Sequence, residues 1–184
     1  SPAVFLQYAN SLREKGEYTE ALRLIEANEN IYGNSPHVLA DILTLKGNIS
    51  FVRGNYTRAE AYYKQAAEIA APVYDLYTVA KSGINTGLVL DMYGDIENAR
   101  TAMEEGIRIS KEIREPELTA YGYSELGVSW SFTADYLEAL NYYNKSIDIY
   151  TKLGNQIRLS YLCSNKGNIQ NILGNYGGAI KTYE

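Results

Sequence analysis

Residues able to do chemistry are few and far apart in this chain of 184 residues: one Cys, Cys163, one His, His37, and acidic pairs such as Glu104-Glu105. Nucleophilic catalysis needs a base and an orienting group beside the nucleophile, and His37 lies three repeat lengths from Cys163. Cys163 therefore reads as a buried small residue and His37, following Pro36 at a helix start, as a solvated surface residue. Adjacent carboxylates on a helix diverge by about 100°, so Glu104 and Glu105 read as a solvated face rather than an acid/base dyad. With one Cys and one His, no internal disulfide and no ordinary structural zinc site can be assembled. The residues point to no catalytic site, no metal and no cofactor.

Composition narrows the class. The chain is 46% hydrophobic and 21% charged, with a formal charge of -5, values of an ordinary globular domain. Its 17 Lys and Arg are spread singly along the sequence, without the basic stripe that neutralises phosphates, which argues against direct nucleic-acid binding. The uncharged stretch around the Trp, Leu126 to Ala134, has nine residues, far short of the ~20 needed to cross a bilayer. Ser1 to Ala9 has no basic n-region, so no signal peptide is expected at this start. A single Cys and no membrane segment fit a reducing, cytoplasmic setting. Asn-x-Ser/Thr matches at Asn48, Asn55 and Asn144 read as chance, because two of them fall in predicted helices.

What positions these residues is an internal repeat. Lys46 to Tyr56 reads KGNISFVRGNY and Lys166 to Tyr176 reads KGNIQNILGNY, agreeing at seven of eleven positions at a separation of 120. Copies around Gly87 and Gly127 divide that separation into three steps of 40, and a further copy around Ala9 follows at 38. Each of the five units carries two small residues twelve apart: Ala9 and Ala21, Gly47 and Ala59, Gly87 and Ala99, Gly127 and Ala139, Gly167 and Ala179. A mid-helix Gly costs about 1 kcal/mol relative to Ala, and close approach of two helix axes supplies the compensating reason.

Between the small residues lies a turn: Gly16-Glu17, Gly54-Asn55, Gly94-Asp95, Ala134-Asp135 and Gly174-Asn175. Each pairs a C-cap residue with an N-terminal capping type. Tyr136, Leu137, Leu140, Tyr143, Ile147 and Tyr150 recur at the helix period. The unit is thus a helical hairpin, with helices expected at 3-15 and 18-32, 37-53 and 56-71, 75-93 and 96-114, 117-133 and 136-153, 156-173 and 176-184. Pro36, Pro72 and Pro116 fall between hairpins, where a helix must end.

This spacing of small residue, turn, aromatic and Ala resembles the tetratricopeptide repeat over the whole chain. Repeat position 8 is Ala9, Gly47, Gly87, Gly127 and Gly167; position 17 is Tyr18, Tyr56, Ile96, Tyr136 and Tyr176; position 20 is the Ala series. The aromatic near position 24 is Tyr63, Tyr143 and Tyr183, with Ile25 and Met103 as departures. The 40-residue spacing is similar to the longer-helix subclass. The resemblance implies an all-α, right-handed superhelical solenoid of antiparallel hairpins. Residues 1-184 then form a single domain with repeats at about 2-36, 37-75, 76-116, 117-155 and 156-184. The last is expected to be truncated and the chain to be a piece of a longer protein, since solenoids need polar caps. Most of the 18 Tyr and Trp130 are expected to pack in the core with polar tips at an edge.

The resemblance also implies a concave face lined by the first helix of each hairpin. Its positions hold Asn10, Arg13, Asp41, Thr44, Asn48, Lys81, Asn85, Tyr121, Ser124, Glu125, Tyr161, Asn165, Asn168 and Asn171. An Asn amide both donates and accepts, so a row of them can pair with an extended peptide backbone whatever its side chains. Position 5 holds Leu6, Thr44, Ile84, Ser124 and Ser164, so the Lys of a chaperone-tail carboxylate clamp is missing. The expected function is a non-catalytic scaffold binding a peptide, a partner protein or a neighbouring domain of the same chain, as a regulatory region of a larger protein. The alternative is a sensor for a small ligand or signal peptide controlling an attached kinase, ATPase or DNA-binding domain.

Overall fold

The computed structural model describes residues 1–183, with side chains through Thr182. Ten helices follow one another: α1 (Pro2–Glu14), α2 (Tyr18–Tyr32), α3 (Pro36–Val52), α4 (Tyr56–Ala70), α5 (Leu76–Tyr93), α6 (Ile96–Glu112), α7 (Pro116–Phe132), α8 (Tyr136–Leu153), α9 (Gln156–Ile172) and α10 (Tyr176–Tyr183). A single 3-10 turn, Ala71–Val73, holds Pro72 after α4. Pro36 and Pro116 open α3 and α7, where a missing N–H costs no hydrogen bond.

The hairpin turns are built alike. Glu17, Asn55, Asp95, Asp135 and Asn175 donate their backbone N–H to the carbonyls of Leu12, Ser50, Leu90, Trp130 and Gln170, five residues back. This bond is the signature of a helix closed by a left-handed residue. Gly16, Gly54, Gly94 and Gly174 supply that residue with φ of 74 to 82°; in the fourth turn Ala134 does so at φ 59°. Asn55 and Asp135 then cap the following helix by accepting the N–H of Arg58 and Glu138.

Each hairpin packs against the next, and α1, α3, α5 and α7 also touch in sequence, forming an inner layer with the second helices outside it. The Ala series Ala21, Ala59, Ala99 and Ala139 is fully buried, as is Ala9, and Ala179 is 5% exposed. The small residue at position 8 has a different partner from the one expected. A Cβ on Gly47 would stand 2.5 Å from Cε1 of Tyr63, and one on Gly127 2.5 Å from Cε1 of Tyr143. The vacated space is filled by a ring of the same hairpin rather than by a neighbouring backbone. At Gly87 both occur: Met103 Cγ would lie at 2.6 Å and the Ala99 carbonyl at 2.7 Å. Met103, a departure from the aromatic pattern, therefore fills the same volume. Tyr183, the matching residue of the last unit, lies outside the described side chains.

Candidate functional site

The inner layer lines a cleft of about 560 Å³. Eight of the residues expected on the concave face border it: Asn10 and Arg13 from α1, Asn48 from α3, Lys81 and Asn85 from α5, Tyr121 and Glu125 from α7, and Tyr161 from α9. The floor is a chain of side-chain hydrogen bonds. Tyr63 donates its hydroxyl to Asn48 Oδ1 at 2.8 Å, Asn85 Nδ2 donates to the same oxygen at 3.4 Å, and the Tyr121 hydroxyl donates to Asn85 Oδ1 at 2.9 Å. The partners across hairpins are 37 and 36 residues apart. One repeat length less one helical turn sets each bonded residue about a turn nearer the start of its own helix than its partner in the preceding hairpin.

Charge in the cleft is mixed. Arg13, Lys81 and Arg158 face Glu14, Glu117 and Glu125. At one end Arg13 donates through Nε to Asn10 Oδ1 at 3.0 Å and pairs with Glu14 at 3.2 Å. Burial holds the Lys81 ammonium below its ordinary pKa, against the pull of Asp41 in the other direction. Burial raises the Glu125 carboxyl to about 7, with Arg158 opposing and Asp91 reinforcing the shift. Burial likewise pushes the Tyr121 phenol up, so it stays a neutral donor. The arrangement offers neutral amide and phenol groups along the floor with charges at intervals, a surface suited to holding an extended polar chain.

Six of the expected groove residues stand elsewhere. Thr44 and Ser124 are buried at 6% and 5% exposure, and Thr44 gives its hydroxyl to the Ala40 carbonyl at 2.9 Å. Repeat position 5 is thus a contact within the inner layer, because successive first helices touch there. Asp41 is exposed near the start of α3. On α9, Asn165 is half-buried beside the Tyr143 hydroxyl, and Asn168 and Asn171 are exposed.

The cleft also takes residues outside the expected set. Tyr77 and Glu117 enter from the first turns of α5 and α7. They lie ten residues before Gly87 and Gly127, ahead of the numbered repeat positions, and their mutual spacing of 40 is the signal the sequence carries for them. Tyr63 and Tyr150 reach in from second helices.

Among the isolated chemical groups, Cys163 is half-exposed rather than buried. His37 is exposed, and its Nδ1 lies 3.3 Å from Asp75 Oδ2. Glu105 is paired with Arg108 at 2.6 Å. Trp130 packs beneath the Arg100 guanidinium, 3.4 Å from the ring centroid. Among the described residues no group of three or more His, Cys, Asp or Glu could hold a metal ion, and no helix is long and apolar enough to cross a membrane.

Residues 40–72, spanning most of α3 and all of α4, match the tetratricopeptide repeat family. No curated protein sequence matches the chain. Among solved structures, BtubC (BKLC) from P. vanneervenii superposes with a TM-score of 0.75 at 19% identity, over 95% of this chain and 73% of that one. The apo form of RapI gives 0.77 at 14% identity, over 98% of this chain and 67% of that one. Aspartyl phosphate phosphatase F from Bacillus subtilis gives 0.81 at 14% identity over 97% of this chain, which spans 47% of that protein. With its glycine-turned hairpins, its inner layer of first helices and its matching second unit, the chain is a tetratricopeptide-like helical-repeat solenoid.

Proposed function

We propose that this chain is a non-catalytic scaffold that binds an extended peptide, or an extended segment of a partner or neighbouring domain, along its concave cleft. The observation that carries the reading is the hydrogen-bonded floor. Asn48 Oδ1 and Asn85 Oδ1 are taken up by Tyr63, Asn85 and Tyr121, while Asn48 Nδ2 has no protein partner among the described residues. An amide whose oxygen is fixed by a phenol donor cannot rotate without losing it, so the Asn48 N–H groups stay available as donors for a peptide carbonyl, while Asn85, 2% exposed and bonded through both amide groups, holds the floor beneath. The mixed charges at intervals favour a polar segment over an apolar one.

A cytoplasmic regulatory region of a larger protein, working without a cofactor, nucleic acid or membrane, fits the isolation of His37 and Cys163 in separate hairpins and the acidic balance of charge. A second reading, a sensor of a small ligand or signal peptide that controls an attached domain, draws on the cleft itself. About 560 Å³ lies within the range of small-ligand sites, and Tyr121 and Tyr161 border it.

Selecting a random peptide library on the wild-type chain, with counter-selection on Asn48→Ala/Asn85→Ala, tests the proposal. Recovery of polar peptides that bind wild type and lose at least about ten-fold in the variant is expected from the lost Asn48 donor and the floor that Asn85 no longer holds. Peptides that bind both proteins equally would move the binding surface off the concave cleft.

A further inference from the structure

A second groove runs on the outer face, independent of the concave cleft. Helices α6 and α8 are its walls and Tyr123 and Leu126 of α7 its floor, enclosing about 450 Å³. It continues past Tyr123 and Lys111 into a depression of about 490 Å³ bordered by Arg114 and Ile149. Two ammonium groups converge on one ring there. Lys111 Nζ lies 5.1 Å and Lys145 Nζ 5.7 Å from the centroid of Tyr123, and Lys145 Nζ is also 4.5 Å from that of Tyr142. The two rings are 6.0 Å apart.

The cations of this groove differ in their commitments. Arg108 is held by Glu105 and Glu112. Lys111, Lys145 and Arg114, all exposed, make no ion pair and no side-chain hydrogen bond among the described residues. Like charges gathered over one π face repel each other, and attraction to the ring offsets this only in part. A carboxylate between them would relieve the repulsion and accept charge-assisted bonds from both.

Repeat architecture does not account for the cluster. Forty residues before Tyr123, Lys111, Lys145 and Tyr142 stand Gly83, Ala71, Glu105 and Ala102, and forty residues after Tyr123 and Lys111 stand Cys163 and Thr151. Positions that pack the solenoid recur at this period, and these do not. In a chain of net charge -5 the groove lining sets Arg108, Lys111, Arg114 and Lys145 against Glu104, Glu112 and Glu115, a small positive excess centred on the two ammonium groups over Tyr123, with an apolar floor of Ile107, Leu126 and two tyrosine rings.

We infer that the α6–α8 groove docks a short acidic, amphipathic peptide segment of a partner protein, its carboxylates between Lys111 and Lys145 and its apolar side chains on Tyr123, Tyr142, Ile107 and Leu126. The cationic rim selects the acidic character, and the apolar floor requires alternating hydrophobic side chains. Arg108 is shared between Glu105 and Glu112, and Glu104 and Glu115 also border the groove, so the peptide carboxylates are placed by the two ammonium groups over Tyr123 rather than by the net field of the groove.

The probe is a fluorescein-labelled heptapeptide alternating Glu with Leu and Phe, titrated against the whole chain by fluorescence anisotropy at low and high salt. Its counterpart carries Gln at every Glu. Wild type is expected to bind the Glu peptide with an affinity that falls as salt rises. Lys111→Ala/Lys145→Ala should weaken it about ten-fold or more, and the Gln peptide should lose as much. Lys64→Ala/Lys152→Ala should bind like wild type with an unchanged circular dichroism melt, and Asn48→Ala/Asn85→Ala, measured below its own lower melting temperature, should keep the affinity of this groove. No binding by wild type, equal binding of the Gln peptide, or indifference to Lys111→Ala/Lys145→Ala overturns the inference. Loss in Asn48→Ala/Asn85→Ala instead would place the peptide in the concave cleft. Wild-type dimers that Lys111→Ala/Lys145→Ala dissociates in sedimentation would assign the groove to a second copy of the chain.

Discussion

The ring of Tyr143 occupies the volume a side chain at position 127 would need: a Cβ built on Gly127 would stand 2.5 Å from Cε1 and 2.6 Å from Cδ1 of that ring. The pair is sixteen residues apart, about eight either side of the Ala134-Asp135 turn, and joins α7 to α8; Gly47 with Tyr63, also sixteen apart, repeats it in the second hairpin.

Gly127→Ala is therefore expected to lower stability by about 1 to 3 kcal/mol, the cost of overpacking, despite the better helix propensity of Ala. Gly83→Ala should act in the opposite sense. A Cβ there meets nothing closer than the Ala102 carbonyl at 3.5 Å, so the helix gains up to about 1 kcal/mol. Urea titration of both variants checks this; midpoints moving in the same direction would detach the glycine from its ring.

Ala134 holds the left-handed place, at φ 59°, that Gly fills in the other four hairpin turns. Ala134→Gly should stabilise the fold by about 1 kcal/mol through release of that strain. Gly94→Ala should cost a similar amount although a Cβ there would meet nothing within 4 Å. Thermal melts of the two variants, shifted in opposite directions, are the expected result.

Stability should respond to pH through Glu125, whose carboxyl is raised to about 7 by burial. Its folded pKa lies above the unfolded one, so between about 4.5 and 7 the folded chain binds more protons and stability falls as pH rises. The loss is complete above the folded pKa. Glu125→Gln should remove this component, leaving a difference from wild type that grows from pH 5 to pH 8. A difference constant across that range, measured by denaturant midpoints, would exclude the titration of Glu125.

In the cleft, peptides selected on wild type should lose about ten-fold or more in affinity for Asn48→Ala/Asn85→Ala, from an Asn48 hydrogen bond of about 0.5 to 1.5 kcal/mol, the peptide group left unpaired and the loss of the support that Asn85 gives the floor. The matched control is Asn141→Ala/Asn144→Ala, both exposed on α8. Calorimetry on the two double variants separates them; an equal loss in the control would contradict the assignment.

Helices, turns and the small-residue series were legible in the sequence because each rests on local chemistry repeated five times. The role of Gly127 was legible only in part: its need for space was plain, but the occupant of that space, Tyr143, lies on the other helix of the hairpin. Thr44 and Ser124 look like groove residues by position, yet contact between successive first helices covers them, and no side-chain type announces that contact. The cluster of Lys111, Lys145 and Arg114 was hidden for the reverse reason. In sequence these cations are isolated, and the stacking of one hairpin on the next is what collects them around Tyr123.

The bonds donated by Tyr63 to Asn48, by Asn85 to Asn48 and by Tyr121 to Asn85 run in series across three hairpins on the inner surface. Mechanically they act as a chord strung across the inside of a bow. Straightening the superhelix lengthens this line before it disturbs the outer layer, so the resting curvature has a restoring force that bending inward does not meet. A solenoid strung this way flexes asymmetrically: it resists being pulled flat more than it resists closing.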